Sequence, residues 1–497
     1  MPPFAQGASC LALKVRDMSG PSSRVDARTF RLLAIGSGLC WSVAFVVIAL
    51  RHQLELYGDG AMFSYAVAVQ DVWGFHWHNI SGRSSVFLLS LLPAEIIVGV
   101  TGRPWAGIIT YGLLFYISPL IGLILTYAAD RSRGRFIFFY ACCSTALLCP
   151  LIFGFPTEMW LAHAIFWPAL ALGHYARRTI AGAILVFSTQ LLLAFTHEGA
   201  LVLLFAIVAT LAPHGLRSVL FVRAMIGLIV ILMLAAASKF VLPPDDYYAG
   251  VLLRAALHFF DPQVFKVEVV VLLLAALTAY GAIFAAISMI SPERAWIYSL
   301  GIVLVPLSVY WLQFDHSVHA SSRYYLRTVL VLLTPLFGAA AALSAMAGEG
   351  ITFPPLAGLQ HVLISPSNQA LRVLAGAFAV VMLIHAVETE KFVSAWGDYG
   401  TAVAALATGH EADPALGDPR FVSSERISPR LNALSWFSTI PYLSVVLANF
   451  SPTRLVIDPA GNYFWLSCAT ATRNKDAERA VPVQPRELVR IYSCLHR

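Results

Sequence analysis

Long apolar runs recur along most of this chain and limit its fold more than any other feature. The chain is 58% hydrophobic and only 12% charged, whereas a typical soluble domain carries about 25% charged residues. A helix that crosses the hydrocarbon core of a bilayer needs about 20 mostly apolar residues. The sequence therefore predicts an all-α polytopic membrane protein with about 11 transmembrane helices, which lie between Arg31 and Ala386.

Basic residues indicate the orientation of the chain. The first apolar run, Arg31–Leu50, is preceded by Lys14, Arg16, Arg24 and Arg28. Positive charge stays on the cytoplasmic side of membrane proteins, so residues 1–30 are predicted to be a cytoplasmic leader. The net charge of +6 is spread over several loops, so we expect no nucleic acid partner.

The runs Ser84–Val100 and Trp105–Ala128 allow two topologies. If both crossed the membrane, the basic turn Asp130–Arg135 (DRSRGR) would fall outside, against the positive-inside rule. We therefore predict that Ser84–Val100 lies along the outer face or dips into it. With that choice the later loops alternate, and the outer ones collect acidic residues, histidines and aromatic residues.

Outer loop 1, residues 51–104, contains a polar and aromatic stretch unlike its surroundings. Within it, Asp59 lies between Gly58 and Gly60. Glycines permit tight turns and bring the backbone close to a ligand, and a partly desolvated carboxylate there could act as a general base. Gly-Asp-Gly is also an ordinary turn sequence, so both interpretations stay open. His76 and Arg83 of this loop are candidate substrate-binding residues, although His76 could merely anchor the loop at the interface.

Further ionisable residues end other spans on the same predicted face, where such groups suggest function. Glu158 is a candidate catalytic residue, with capping of the following helix as the alternative. The neighbours His197 and Glu198 are candidate substrate-binding residues that could instead satisfy each other. Arg323 suits a phosphate, and Tyr324 suits a sugar or the lipid interface. Weak candidates for a divalent cation are Asp315, His316 and His319; no other cofactor is predicted.

The composition changes at Val387. Residues 387–497 are charged, contain turns and have no spanning run, which predicts a small α+β soluble domain outside the membrane. Helices are expected at Asp398–Leu406 and Pro429–Leu447. Short strands are expected at Arg454–Val456, Tyr463–Cys468 and Leu488–Tyr492. Cys468 and Cys494 could form a disulfide in an oxidising compartment.

This layout resembles the GT-C-type integral-membrane glycosyltransferases, including protein mannosyltransferase-like and aminoarabinose transferase-like enzymes. Asp59 stands at their first-loop acidic position, and Glu158 stands where the second outer loop often holds another carboxylate. Phe63–Trp73 and Ser84–Val100 match their juxtamembrane helices. Arg323-Tyr324, with Pro335 downstream, matches a common pair before a late span. Residues 31–386 would then be the GT-C-like transmembrane domain.

The resemblance implies an activity and a location. The enzyme would move a sugar from a polyprenyl-phosphate donor to a cell-envelope glycan, lipid or protein on the periplasmic face of a bacterial inner membrane. Asp59 would be the base of an inverting reaction, Arg323 would hold the departing lipid phosphate, and Glu158, His197 and Glu198 would orient the substrates. Many members carry an Asp-Glu or Asp-Asp pair where this chain has Gly-Asp-Gly, so a need for metal stays open.

Two other classes of function remain as alternatives. A transporter or flippase calls for ionisable residues in the middle of spans and for broken helices at matching positions of two halves. In this sequence the charges lie mainly at span ends. A non-catalytic membrane scaffold that displays the C-terminal domain would leave the concentration of carboxylates on one face unexplained.

Overall fold

The computed structural model describes residues 21–72, 80–241, 267–313, 320–410, 421–436 and 438–458. The structure is 80% helical, with one small sheet near the C-terminus. The helices are α1 (Pro21–His52), α2 (Asp59–Ala68), α3 (Ile80–Val86), α4 (Leu92–Thr101), α5 (Pro104–Tyr116), α6 (Ser118–Ala129), α7 (Phe136–Ile152), α8 (Met159–Tyr175), α9 (Ile180–Ala194), α10 (Ala200–Leu211), α11 (Val219–Val241), α12 (Glu268–Ser288), α13 (Ala295–Gln313), α14 (Ala320–Gly348), α15 (Ala357–Ile364), α16 (Asn368–Thr408), α17 (Pro429–Asn432) and α18 (Ile440–Leu447). The strands are β1 (Phe421–Ser423) and β2 (Leu455–Ile457).

Within the described ranges, seven helices are long and apolar enough to cross a membrane. They are Ala27–His52, Arg83–Thr101, Val219–Val241, Glu268–Ser288, Ala295–Gln313, Leu326–Gly348 and Asn368–Thr408. The pair α5 and α6, bent by 41°, would make eight if it counts as one span. The predicted count of about 11 spans is not confirmed, because α7, α9 and α10 are apolar but only 10–17 residues long.

The segment Ser84–Val100 belongs to one of those seven helices, Arg83–Thr101. A π-helical turn, Phe87–Leu91, joins α3 to α4 within it. Its length and composition would allow it to cross a membrane, so its placement along the outer face stays a prediction.

The core of the bundle is built on close helix crossings around α7, which packs against α1, α6 and α14, and around α8, which packs against α6. A Cβ atom on Gly38 of α1 would lie 2.6 Å from the carbonyl oxygen of Cys142. A Cβ on Gly122 of α6 would lie 2.4 Å from the carbonyl oxygen of Ala164. Small residues therefore let these helices approach backbone to backbone, which is how helices associate in a membrane.

Helix α2 is enclosed, which differs from the expected juxtamembrane helix over Phe63–Trp73. Every residue from Gly60 to Ala68 is buried, because α4 and α5 pack on one side and α18 covers the other. The sequence pattern could not show this cover, since it comes from a segment nearly 400 residues later. The C-terminal segment is thus part of the same packed unit as the first loop.

The C-terminal segment agrees only in part with its predicted elements. Strand β2 lies at the expected position and pairs in parallel with β1, with Phe421 opposite Leu455. The helix expected over Pro429–Leu447 is split into α17 and α18. Helix α16 continues without a break past residue 387 to Thr408, so the domain boundary there stays a prediction. The segments Tyr463–Cys468 and Leu488–Tyr492, and with them Cys468 and Cys494, lie outside the described residues.

Candidate functional site

The turn before α2 places Asp59 at the first residue of that helix. Gly58 has φ 59°, in the left-handed region that glycine adopts without strain. A Cβ on Gly60 would lie 2.2 Å from the carbonyl oxygen of Glu55, which is closer than any real Cβ contact. Both glycines are therefore required by the turn, as the Gly-Asp-Gly pattern predicted. They place Asp59 at the first residue of α2.

Residues of the C-terminal segment hold this turn in place. The indole Nε1 of Trp436 donates a hydrogen bond to Oδ1 of Asp59 at 3.1 Å. The Thr439 hydroxyl donates to the carbonyl oxygen of Gly58 at 2.9 Å. The Trp436 ring packs edge-on against Phe155, with ring centroids 5.4 Å apart. The segment that follows the bundle therefore supplies a hydrogen-bond donor to the Asp59 carboxylate.

Arg83 and Glu158, which were predicted separately, form an ion pair. Nη1 of Arg83 donates to Oε1 of Glu158, and the Glu158 residue is 5% exposed. Glu158 occupies the N-cap position of α8, yet its side chain makes no capping hydrogen bond. Glu158 thus stands at the predicted capping position without a capping hydrogen bond, and its ion pair with Arg83 joins outer loop 1 to the start of α8.

Burial and charge tune the Asp59 carboxyl. Desolvation raises the pKa of Asp59 to about 6, and the negative charge of Glu158 adds to this rise. Arg327, Arg83 and the hydrogen bond from Trp436 oppose it. The carboxylate is therefore mostly ionised at neutral pH but accepts a proton readily, which is the property of an effective general base.

His197 is a neutral imidazole in this site. Its Nδ1 lies 3.8 Å from Oε2 of Glu198, but the same nitrogen accepts the backbone N–H of Gly199 at 2.9 Å. Nδ1 therefore carries no proton, and Nε2 carries it. Burial and the charges of Arg83 and Arg327 hold the pKa of His197 well below its ordinary value. The alternative in which His197 and Glu198 satisfy each other is not supported, because the nitrogen that faces Glu198 has no proton to donate.

Glu198 keeps an open acceptor. Its Oε1 is buried and has no hydrogen-bond partner within the described part of the chain. Buried carboxylate oxygens are nearly always paired, so an unpaired one is a place where a ligand hydroxyl can bind. Lys239, in the last turn of α11, interacts electrostatically with Glu198 and with Arg83.

Three contributors to the site were missed by the sequence analysis. Arg327 interacts electrostatically with Asp59 and His197; it follows Arg323 by one helical turn, and that i,i+4 spacing could have drawn attention to it. Lys239 is a charged residue near the end of an apolar helix, and a charge in that position suggests function. Trp436 had no local signal.

The structure brings five of the predicted residues together: Asp59, Arg83, Glu158, His197 and Glu198. We call these residues, together with Lys239, Arg327 and Trp436, the Asp59 site. Arg323 and Tyr324 lie on α14, and their side chains fall outside the described part of the structure. His76, Asp315, His316 and His319 are also outside the described residues. Among the described side chains, no group of three or more His, Cys, Asp or Glu residues is arranged to hold a metal ion.

A second carboxyl lies next to the site. Glu55 is 1% exposed, and burial raises its pKa to about 8, so it is protonated at neutral pH. The Tyr111 phenol lies within electrostatic range of Glu158, Asp59 and Glu55. Two carboxyls four residues apart are thus pushed towards different protonation states by their surroundings.

Comparison of the sequence with protein-family models and with curated proteins found no match. The activity of the chain must therefore be argued from the chemistry of the Asp59 site.

Proposed function

We propose that the chain is a membrane glycosyltransferase that moves a sugar from a polyprenyl-phosphate donor to an acceptor hydroxyl with inversion. The observation that carries this proposal is the Asp59 carboxylate, a titratable base of pKa about 6 that lies within electrostatic range of Arg327 and Arg83. A base and a set of cations within one site match the two demands of the reaction, which are proton removal and stabilisation of a departing phosphate.

The bond changes assign a role to each charge. Asp59 accepts the proton of the acceptor hydroxyl while the hydroxyl oxygen attacks the anomeric carbon. The bond from that carbon to the phosphate oxygen breaks, and the electron pair leaves with the polyprenyl phosphate. Arg327 is in electrostatic contact with Asp59 and His197 and would stabilise the developing phosphate charge. Arg323, one turn earlier on α14, keeps its proposed contact with the same phosphate.

The remaining residues can orient the sugar. His197 offers an N–H at Nε2, because its Nδ1 is occupied by Gly199. The open Oε1 of Glu198 accepts a hydroxyl hydrogen. The Arg83–Glu158 pair sets the distance between the loop that carries Asp59 and helix α8. Sugars are rich in vicinal hydroxyls, and such donor and acceptor pairs are how proteins hold them.

The surroundings favour a lipid-linked donor. Lys239 belongs to the Asp59 site, while its neighbours Phe240 and Val241 are 88% and 79% exposed. The end of helix α11 thus places exposed apolar side chains directly beside a charged site. A donor with a phosphate head and a long hydrocarbon tail would fit that junction, with its tail remaining in the membrane.

The test is transfer of radiolabelled sugar from a small panel of polyprenyl-phosphate sugars by the purified full chain. We expect Asp59→Asn to lower the rate by about 10²–10⁴-fold, which is the usual contribution of a general base. Asp71→Asn is the matched control, because burial also raises the pKa of Asp71 to about 6 and it lies in the same loop. Full activity in Asp59→Asn would remove Asp59 as the base. If the protein transfers sugar from none of the donors and a solute enters proteoliposomes that contain it, the transporter alternative would be favoured.

A further inference from the structure

A cavity lies between α1 and α16, away from the Asp59 site. Its volume is about 690 Å³, within the range of roughly 300–1000 Å³ that small ligands occupy. Trp41, Ala44 and Ile48 of α1 form one wall, and Met382 and Ala386 of α16 form the other. Cys40 and Ala386 are exposed, so the cavity opens to the side of the bundle.

The cavity is amphipathic along its length. Its middle is apolar, whereas Arg51 and His52 close the end formed by the last turn of α1. Glu390 lines the same cavity from α16. Arg51 and Glu390 are both exposed, and neither side chain has a hydrogen bond or an ion pair in the part of the chain that the structure describes. Two opposite charges that share a cavity without contacting each other leave room for a group that carries both signs.

An aromatic wall separates this cavity from the Asp59 site. Tyr57, next to the Gly-Asp-Gly turn, packs edge-on against Phe392 and Trp396 of α16 with centroid distances of 5.1 Å and 5.2 Å. The indole Nε1 of Trp396 donates to the carbonyl oxygen of His52 at 3.0 Å. The cavity is therefore a separate site, although its polar end is bonded to the wall that supports Asp59.

We propose that this cavity binds a glycerophospholipid whose headgroup carries a phosphate and a primary ammonium. Arg51 contacts the phosphate, as arginine commonly does. Glu390 accepts hydrogen bonds from the ammonium, and the first part of an acyl chain lies along Trp41 and Ala386. Phosphatidylglycerol is disfavoured because its glycerol headgroup carries no positive charge to pair with Glu390, and a quaternary ammonium has no N–H to donate to Glu390. The inference does not rest on the glycosyltransferase proposal.

The test is native mass spectrometry of the full chain in detergent, titrated with palmitoyl-oleoyl phosphatidylethanolamine, phosphatidylglycerol or phosphatidylcholine. We expect a saturable single adduct of phosphatidylethanolamine with an affinity about tenfold higher than for the other two lipids, the size of one partly exposed charge-assisted contact. Glu390→Gln should abolish the preference over phosphatidylglycerol. Arg51→Gln should weaken binding of both lipids about tenfold, because both carry the phosphate.

Two kinds of control keep the proposal open to refutation. Ala386→Trp fills the cavity from an exposed position and should remove the adduct while the chain stays folded. Arg103→Gln and Asp398→Asn remove exposed charges outside the cavity and should bind like the wild type. Equal binding of the three lipids by the wild type, or equal binding by all variants, would overturn the proposal. A lipid-free dimer that Ala386→Trp dissociates would also overturn it, by showing that the cavity is a helix-packing surface.

Discussion

Helices α8 and α10 begin next to the Asp59 site, and α14 carries Arg327 of that site two turns after its own start. All three helices end near a second polar group at the opposite end of the bundle. We call that group the Asp130 cluster; it consists of Asp130, Arg135, His174, Tyr175, His214 and Glu349. Helix α8 has 17 residues and spans about 25 Å, so the two groups are separated by the thickness of the bundle. They contain similar residue types and differ in how completely these residues are bonded.

In the Asp130 cluster the polar side chains have hydrogen-bond partners within the protein. The two carboxylate oxygens of Asp130 accept the backbone N–H groups of Ser132 and Phe138, both at 2.9 Å. The Tyr175 hydroxyl donates to Glu349 at 2.7 Å. His174 is in hydrogen-bond range of His214, at 3.2 Å. At the Asp59 site, by contrast, Oε1 of Glu198 is buried without a partner and His197 has a proton to offer at Nε2. A closed network stabilises a fold, whereas an open one is ready for a ligand.

Among the substitutions that test the difference between the Asp59 site and the Asp130 cluster, neutralising Arg327 is expected to have the largest effect. We expect Arg327→Gln to lower sugar transfer about 10²–10³-fold, as losing a group that stabilises transition-state charge does, and Arg327→Lys to recover part of the rate. Arg135→Gln is the matched control, since Arg135 donates to the carbonyl oxygen of Tyr127 in the closed cluster. Equal losses in Arg327→Gln and Arg135→Gln would erase the distinction between the two regions.

A second prediction concerns Glu55, which lies beside the open site but is buried as a neutral acid. Its folded-state pKa of about 8 is above the unfolded value, so its contribution to stability is complete below about pH 4.5 and is lost as the pH rises to about 8. Glu55→Gln cannot ionise, and we expect it to exceed the wild type in stability at pH 9 by a few kcal/mol. Thermal melts in detergent at pH 5 and pH 9 measure this. A constant difference between the two proteins at both pH values would contradict it.

A third prediction is the pH dependence of transfer. Asp59 acts as a base only when ionised, and burial with the Glu158 charge raises its pKa to about 6. We therefore expect kcat/KM to fall about tenfold per pH unit below that value and to be level above it. Because Arg327 lowers the pKa of Asp59, Arg327→Gln should move the midpoint upward. A profile that stays level down to pH 4 would exclude Asp59 as the base.

The smallest expected effect tests the closed cluster. Asp130→Ala removes the carboxylate that accepts the N–H of Phe138 in the first turn of α7, and loss of such a cap costs about 1 kcal/mol. We expect a lower melting temperature with an unchanged rate of sugar transfer. Asp130→Asn keeps one acceptor oxygen and should lose less. A large fall in transfer, with the melting temperature unchanged, would place function in the Asp130 cluster as well.

The sequence predicts the local features of this molecule and misses those that depend on packing. Composition identifies the helical membrane class, and Gly-Asp-Gly predicts the turn, because glycine constraints act within a few residues. Hydropathy cannot count the spans reliably, since α5 and α6 are bent by 41° and three other helices are short. Trp436 could not be found, because its contact with Asp59 joins residues 377 positions apart.

The hydrogen bond from Trp436 to Asp59 also bears on how the protein is made. The chain leaves the ribosome from its N-terminus, so Asp59 is synthesised and inserted long before Trp436 exists. The carboxylate therefore lacks its indole donor, and α2 lacks its α18 cover, until residues 436–447 have been translated. A nascent chain that stalls after α16 would contain all the charged residues of the Asp59 site. It would still lack the Trp436 side chain that donates a hydrogen bond to Asp59. Synthesis of the segment that contains Trp436 would thus be the step that completes the hydrogen bonding of Asp59.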